Sequence, residues 1–285
     1  MPTVSEALAQ AAARDPELAS FYEFHGRLCE LQEKAKQGIS ATLEMVDREA
    51  LQSRLLHGLP LLAFAQLPLE AEYFAGLGTA IAQALMSYYP GPSGRASRAE
   101  PRDEASGRSL EGQTLPATSV EWVALAERRF AENRAGQADE SPTLRLAETA
   151  ADLALRPYLA WAAEQIMPHL DQEAWKREYC PVCGGAPDFA LLEEESGARR
   201  LVCSRCNSQW RYRRIGCPFC DTQDFSQIVY YPSEDEVYRL YVCRTCQRYL
   251  KTLDLRKTGA RPVLVDVERI TTVALDAAAR EEGYR

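Results

Sequence analysis

The chain has 285 residues, 46% apolar and 26% charged, with 41 acidic against 33 basic side chains and a formal charge of −8. That length accommodates one large domain or two ordinary ones, and the composition is that of a soluble globular protein. The acidic balance argues against a general nucleic-acid binder. No apolar run approaches the roughly 18 residues a membrane span needs, and the opening MPTVSEALAQ lacks the basic stretch and apolar segment of an export leader. The expectation is a cytoplasmic protein without membrane insertion.

Residues 1–176 read as an all-helical domain. Asp15-Pro16-Glu17 supplies a cap, a proline at the first helical position and an acid in the first turn, so a helix is expected to run to Gln37 and end at Gly38. Leu18, Phe21, Tyr22, His25, Leu28 and Cys29 recur at spacings of three and four and mark its buried face. Cys29 there reads as a small core hydrophobe, and His25 as structural. A second helix is expected over 41–57, with Leu43, Val46, Ala50 and Leu51 on one side. LPLLAFAQLPLE, residues 59–70, is broken by Pro60 and Pro68 and reads as a buried turn with a short extended piece. A third helix covers 69–89, where Gly76 and Gly78 allow a close helix contact.

Residues 90–118 are Gly, Ser, Pro and charge with almost nothing apolar, the pattern of a flexible loop. Ser119 is expected to cap a helix over 120–135 that turns Trp122, Leu125, Ala126 and Phe130 inward. Ser141-Pro142 opens the longest helical stretch, 142–167, in which Pro157 should kink or interrupt the helix while Tyr158, Trp161, Ala162 and Ile166 continue the apolar face.

After residue 176 the pattern changes. Eight of the nine cysteines fall in four Cys-x-x-Cys pairs: Cys180 and Cys183, Cys203 and Cys206, Cys217 and Cys220, Cys243 and Cys246. The gaps between pairs are 19, 10 and 22 residues. Long, short, long is the spacing of two consecutive four-cysteine sites, each closing a folded-back ribbon. Two cysteines three apart on a tight turn can both face one ion, and a hairpin brings the second pair. Four thiolates suit zinc or iron tetrahedrally. One such pair is weak evidence, but four with paired spacing are strong. Gly184 and Gly185 follow the first pair, where they let backbone N–H groups turn toward sulfur. Removing metal should unfold these small polar ribbons.

Phe189–Leu192 and Arg200–Val202 bracket a turn near Ser196-Gly197, and strands about 225–231 and 237–242 bracket PSEDE. The expected domains are therefore 1–176, a first ribbon at 177–212, and a second ribbon at 213–285. The last includes a strand after Cys246 and a C-terminal helix over 267–281, making the whole an α+β chain. The carboxylates at 233–236 read as a solvated turn, and His25, His57 and His169 form no ligand pattern.

Other readings stand beside the metal one. CPFC at Cys217–Cys220 has the form of a glutaredoxin dithiol, which needs a helix N-terminus to depress its thiol pKa; here it lies in strand-and-turn sequence. Arg199, Arg200, Arg205, Arg211, Arg213 and Arg214 surround Trp210 and Tyr212. Such a cluster can grip nucleic acid, pair with Glu193–Glu195 and the thiolate sites, or dock an acidic partner. No nucleophile–base pair or phosphate-binding glycine loop appears, and a closed four-thiolate site leaves no open position for substrate, so an adaptor ranks above an enzyme.

CPVCGGAP, LVCSRCNSQW, IGCPFC and YVCRTCQRYLKTLD, followed by VDVERITTVALDAAAREEGY, resemble the FdhE family of formate dehydrogenase accessory proteins from about Tyr179 to Tyr284. The resemblance implies a helical N-terminal domain followed by two rubredoxin-like modules, with all eight paired cysteines as ligands of two ions, iron or else zinc. It implies a non-catalytic cytoplasmic protein whose partner is the large molybdenum- or tungsten-containing catalytic subunit of a respiratory formate dehydrogenase, bound before export. A homo-oligomer is left open. The surface expected to meet the partner comprises Arg205, Trp210, Arg211, Arg213, Arg214, Tyr249 and Lys251.

Overall fold

The computed structural model describes residues 2–43, 48–89, 109–111, 114–132 and 143–285. Its contacts group into two units. One holds the described residues of Met1–Thr42, Leu67–Glu132 and Glu140–Trp161, the other those of Leu43–Gln66 and Ala162–Arg285. This division differs from the expected boundary at residue 176, because residues 58–62 are built into the cysteine-bearing unit, as described below.

The first unit is helical. Helix α1 (Val4–Arg14), absent from the sequence expectation, begins with a reciprocal cap: the Thr3 side chain accepts from the Glu6 N–H, and the Glu6 carboxylate from the Thr3 N–H. Helix α2 (Ala19–Gln37) follows a short 3-10 turn over Pro16–Leu18, and Asp15 makes no side-chain cap bond. In the other unit, α3 spans Arg48–Leu56. Residues 41–43 of the expected second helix are not helical, and 44–47 lie outside the described residues; the Leu43 N–H is taken by the Gln165 side chain instead.

Helices α4 (Ala71–Tyr88) and α5 (Ser119–Glu132) cross closely. A Cβ added at Gly78 would lie 2.7 Å from the Trp122 ring, so the glycine is what admits the indole. Thr118 rather than Ser119 caps α5: its hydroxyl accepts from the Glu121 N–H while Glu121 accepts from the Ala117 and Thr118 N–H groups. Ser119 donates to Glu72. The expected loop at 90–118 lies mostly outside the described residues, but β1 (Ser109–Glu111) pairs in parallel with β2 (Thr143–Arg145).

Helix α6 (Leu146–Ile166) carries Pro157 in its interior without ending there. Proline has no N–H for the carbonyl four residues back, and the Gln32 side chain donates to that Leu153 oxygen at 2.8 Å. Leu8, Phe74, Ile81, Trp122, Leu155 and Tyr158 are buried in this unit.

The second unit is organised on one six-stranded sheet of order β5-β4-β3-β8-β7-β6. Strands β3 (Pro187–Leu192), β4 (Arg199–Cys203) and β5 (Gln209–Tyr212) belong to the first ribbon. Strands β6 (Ile228–Pro232), β7 (Tyr238–Cys243) and β8 (Arg248–Asp254) belong to the second. Each ribbon is an antiparallel meander, and the two join through parallel pairing of β3 with β8, Phe189 opposite Lys251 and Leu191 opposite Leu253. The ribbons thus share a sheet rather than standing apart. Strand β5 was not expected, although its Trp210 and Tyr212 alternate with polar residues and are buried.

The single C-terminal helix expected is two, α7 (Val265–Thr271) and α8 (Val273–Glu281), broken at Thr272. Ala279, Leu275 and Tyr284 pack α8 on Leu240 and Val242 of β7.

Two glycines on α4 make a controlled pair. Gly76 has open space where a methyl would go, and Gly78 does not. Gly76→Ala is expected to stabilise by about 0.5–1 kcal/mol through backbone entropy. Gly78→Ala is expected to destabilise by about 1–3 kcal/mol, because overpacking against a rigid indole exceeds that gain. Urea unfolding of both variants checks the opposite signs.

Candidate metal centres

The Cys-x-x-Cys pairs form four copies of one turn. In each, the residue four after the first cysteine donates its N–H back to that cysteine's carbonyl: Gly184 to Cys180 at 3.0 Å, Asn207 to Cys203 at 3.3 Å, Asp221 to Cys217 at 3.1 Å and Gln247 to Cys243 at 2.8 Å. All four donors are left-handed, with φ of 77°, 59°, 57° and 56°. Only the first is glycine. Asn207 and Asp221 are side chains that accept this conformation more readily than most, whereas at Gln247 it costs roughly 1–2 kcal/mol, so there the turn is imposed against the residue's preference. What the turn achieves is to aim backbone N–H groups at sulfur: Arg205 N–H lies 3.4 Å from Cys203 Sγ, and Phe219 N–H 3.4 Å from Cys217 Sγ.

The hairpins bring the turns together in pairs. Cys180, Cys183, Cys203 and Cys206 place their four sulfurs within 4.8 Å of one another, and so do Cys217, Cys220, Cys243 and Cys246. The short separations are 3.5, 3.5 and 3.6 Å in the first group and 3.6 and 3.7 Å in the second. A tetrahedron with metal–sulfur bonds of about 2.3 Å has edges of about 3.8 Å, whereas a disulfide is about 2.05 Å. The donor set therefore fits one tetrahedral ion per group and does not fit disulfides. Both groups can coordinate a metal ion, in the pairing that the spacing suggested.

The two groups differ in exposure. Cys180, Cys183 and Cys203 are 0% exposed and Cys206 is 2% exposed. In the second, Cys217 and Cys243 are buried, Cys246 is half-buried and Cys220 reaches the surface. Leu61 and Leu62 donate their N–H groups to the Pro181 and Val182 carbonyls, and Tyr179 donates to the Gly58 carbonyl, so residues 58–62 cover the first turn. This is part of the buried turn and short extended piece expected at 59–70, of which the residues up to Gln66 group with the cysteines. Burial pushes the Cys217 thiol upward, the opposite of what a dithiol nucleophile needs.

Each group is also held from outside its own ribbon. Arg269 of α7 donates to the Cys203 carbonyl and pairs with Asp188 and Asp266. Arg199 of β4 is 1% exposed and donates from Nη2 to the Gly216 carbonyl at 2.7 Å, just before Cys217. Its cross-strand partner Tyr212 donates to Asp221 at 3.0 Å, just after Cys220. Arg199 and Tyr212 belong to the basic and aromatic cluster for which pairing with the thiolate sites was one expectation, whereas Arg269 was not singled out; the contacts span from 9 to 66 residues.

The residues expected to form a partner surface do not all lie on one. Trp210 is fully buried and donates from Nε1 to the Arg177 carbonyl. Lys251 is buried too, donating to Asp276 Oδ2 and the Arg269 carbonyl, both at 2.7 Å, and Tyr249 donates to Asp276 Oδ1. Asp276 on α8 draws both inward, so they fasten the C-terminal helices to the sheet. Arg211 pairs with Glu193 and Glu173, and Arg213 with Asp221. Burial raises the Glu193 carboxyl, but Ser196, Arg211 and Arg200 outweigh it and hold it at about 2. Arg214 is exposed and Arg205 half-buried. Among the described residues the three histidines do not converge; His25 stacks edge-on against Phe21 and Phe24, and Cys29 is half-buried.

Residues 179–214 match the family model described as FdhE, central domain. A protein FdhE homolog of Aquifex aeolicus is 36% identical over 134 residues, 46% of this chain and 46% of that one, so the match spans just under half of that relative. A protein FdhE homolog of Pseudomonas aeruginosa is 30% identical across 98% of this chain and 85% of its own length. The crystal structure of the FdhE protein from Pseudomonas aeruginosa superposes with a TM-score of 0.56 at 24% identity, covering 99% of this chain and 91% of that chain, a likeness of fold.

The left-handed turns give a direct test. Gln247→Gly removes the backbone penalty and is expected to leave the ion-loaded protein as stable as wild type or more so by up to about 1 kcal/mol, while Gln247→Val is expected to lose more than about 1 kcal/mol. Urea midpoints of the two variants read the difference.

Proposed function

The chain belongs to the FdhE family, and from that premise we propose that it is a cytoplasmic accessory protein that binds the catalytic subunit of a respiratory formate dehydrogenase and supports its assembly before export. It is not an enzyme in its own right, as the family consists of non-catalytic accessory proteins. The observation that carries the reading is the closed four-sulfur geometry. A tetrahedral ion with four thiolates has no coordination position left for a substrate, so these centres serve a binding surface rather than a reaction.

The eight cysteines hold two ions, iron or zinc, on this proposal. Bound, each ion would neutralise part of the thiolate charge and lock the turns that shape the ribbons. Trp210, Tyr249 and Lys251 act inside the unit and do not meet the partner. The partner surface instead uses Arg214 with the exposed side chains Ile215, Phe225, Tyr230 and Tyr231, all in the second ribbon. On this proposal the partner covers these exposed apolar and aromatic side chains. No helix among the described residues is long and apolar enough to cross a membrane, which accords with a partner met before export.

The nucleic-acid reading loses its main support. The stacking platform it needs would include Trp210, which is buried, and Arg211 and Arg213 already carry carboxylate partners.

Anaerobic purification of the tagged protein from its own host, followed by mass spectrometry, tests the proposal. A formate dehydrogenase catalytic subunit is expected to co-purify with the wild-type protein and to be lost with the Cys217→Ser, Cys220→Ser double variant. RNA in place of that subunit, or full recovery of the subunit with the second centre empty, would contradict it.

A further inference from the structure

We infer that Arg199 is the counter-charge and positioning residue of the second four-cysteine centre, supplied to it by the first ribbon. The inference rests on the proposal that this centre holds an ion. A guanidinium is always charged, and a buried charge is tolerated only when paired. Arg199 is buried at 1% exposure, yet among the described residues no carboxylate pairs with it. Its Nη2 donates to the Gly216 carbonyl at 2.7 Å, its guanidinium lies 5.4 Å from the Tyr212 ring centre, and its Nε is buried with no hydrogen-bond partner.

The contrast with Arg269 defines the gap. Both arginines hold a carbonyl at a cysteine turn, Arg269 that of Cys203 and Arg199 that of Gly216. Arg269 has Asp188 and Asp266 to balance it. What Arg199 has instead is the second centre: it lines the same surface concavity as Cys217 and Cys243. Four thiolates around one divalent ion carry a net double negative charge, which supplies the missing anion. Tyr212, whose ring the guanidinium faces, keeps its proton and donates it to Asp221, so it cannot. The nearby cation Arg213 is already engaged with Asp221.

The geometry adds a mechanical role. Arg199 and Tyr212 face each other across β4 and β5 and grip Gly216 and Asp221, the two ends of the turn that carries Cys217 and Cys220. The second centre is thus clasped by strands of the first ribbon, at the group whose Cys220 is open to solvent.

Three variants of the full chain, zinc-loaded, separate charge from packing. Arg199→Lys keeps the charge, Arg199→Gln keeps a donor without charge, and Arg199→Met keeps neither. Zinc release to a chelator is followed by absorbance, and iodoacetamide labelling with peptide mass spectrometry identifies which cysteines are freed. Loss of a group that orients or balances metal ligands typically costs about 10–100-fold in metal affinity. The expected result is that Arg199→Gln and Arg199→Met release one zinc at least about tenfold faster than wild type, freeing Cys217, Cys220, Cys243 and Cys246 and not the first group, while Arg199→Lys stays closer to wild type. In the iron-loaded protein the reduction potential of the second centre is expected to fall in Arg199→Gln, since the cation that favours the reduced ion is gone. Arg199→Gln holding zinc as well as Arg199→Lys would overturn the charge role. Equal release from both centres in the Gln variant would overturn the assignment to the second centre. If wild-type protein holds no metal at the second centre, the premise of an ion there fails, a result distinct from either.

Discussion

Four sulfurs within 4.8 Å of one another, twice, are the constraint around which the cysteine-bearing unit is arranged. Thiolates at such distances repel unless a cation lies between them, and thiols there would leave polarisable, weakly bonded groups packed without purpose. The backbone is set to meet this arrangement. Gly184, Asn207 and Asp221 are residue types that accept the left-handed conformation, Gln247 holds it at a cost, and every N–H that closes the turn is aligned by it. One left-handed residue at the equivalent place in all four turns points to one requirement met four times.

That requirement also explains why the two ribbons are one sheet. A hairpin closed at one end by a four-sulfur site leaves its outer strand edges open. Parallel pairing of β3 with β8 closes one edge of each ribbon against the other. The buried arginines then tie each centre to residues outside its own ribbon, Arg269 to the first and Arg199 to the second. Helices α7 and α8 complete the unit through Asp276, which gathers Tyr249 and Lys251, and through Glu268, which receives Tyr238 and Arg261. The two ribbons also share a core, Phe189, Leu191 and Val202 of the first packing with Leu253 of the second, so loss of either centre is felt across the sheet.

The sequence carried the local features well and the long-range ones poorly. Cysteine spacing foretold which four sulfurs meet, because ligand geometry leaves few alternatives. The hairpin turn at Gly197 and the close approach at Gly78 were legible for similar reasons. Helix α1 was missed although Thr3 and Glu6 spell a capping box, and β5 was missed although Trp210 and Tyr212 alternate as a half-buried strand does. By contrast, nothing local marks the β3–β8 pairing, which joins segments about sixty residues apart. Lys251 looked like a surface cation because the residue that buries it, Asp276, lies 25 positions later. Arg199 read as one of a basic cluster for which the thiolate sites were one candidate partner, but its burial, which sets it apart from the others, is a property of the folded chain.

If ions in these two centres hold the six-stranded sheet together, their removal must loosen it. Hydrogen exchange of the intact protein, with and without a strong chelator under reducing and oxygen-free conditions, tests this most directly. Removal of the ions is expected to strip protection from the amides of β3 through β8 while α4, α5 and the first part of α6 remain protected. Undiminished protection across the sheet in protein shown to contain no metal would contradict it.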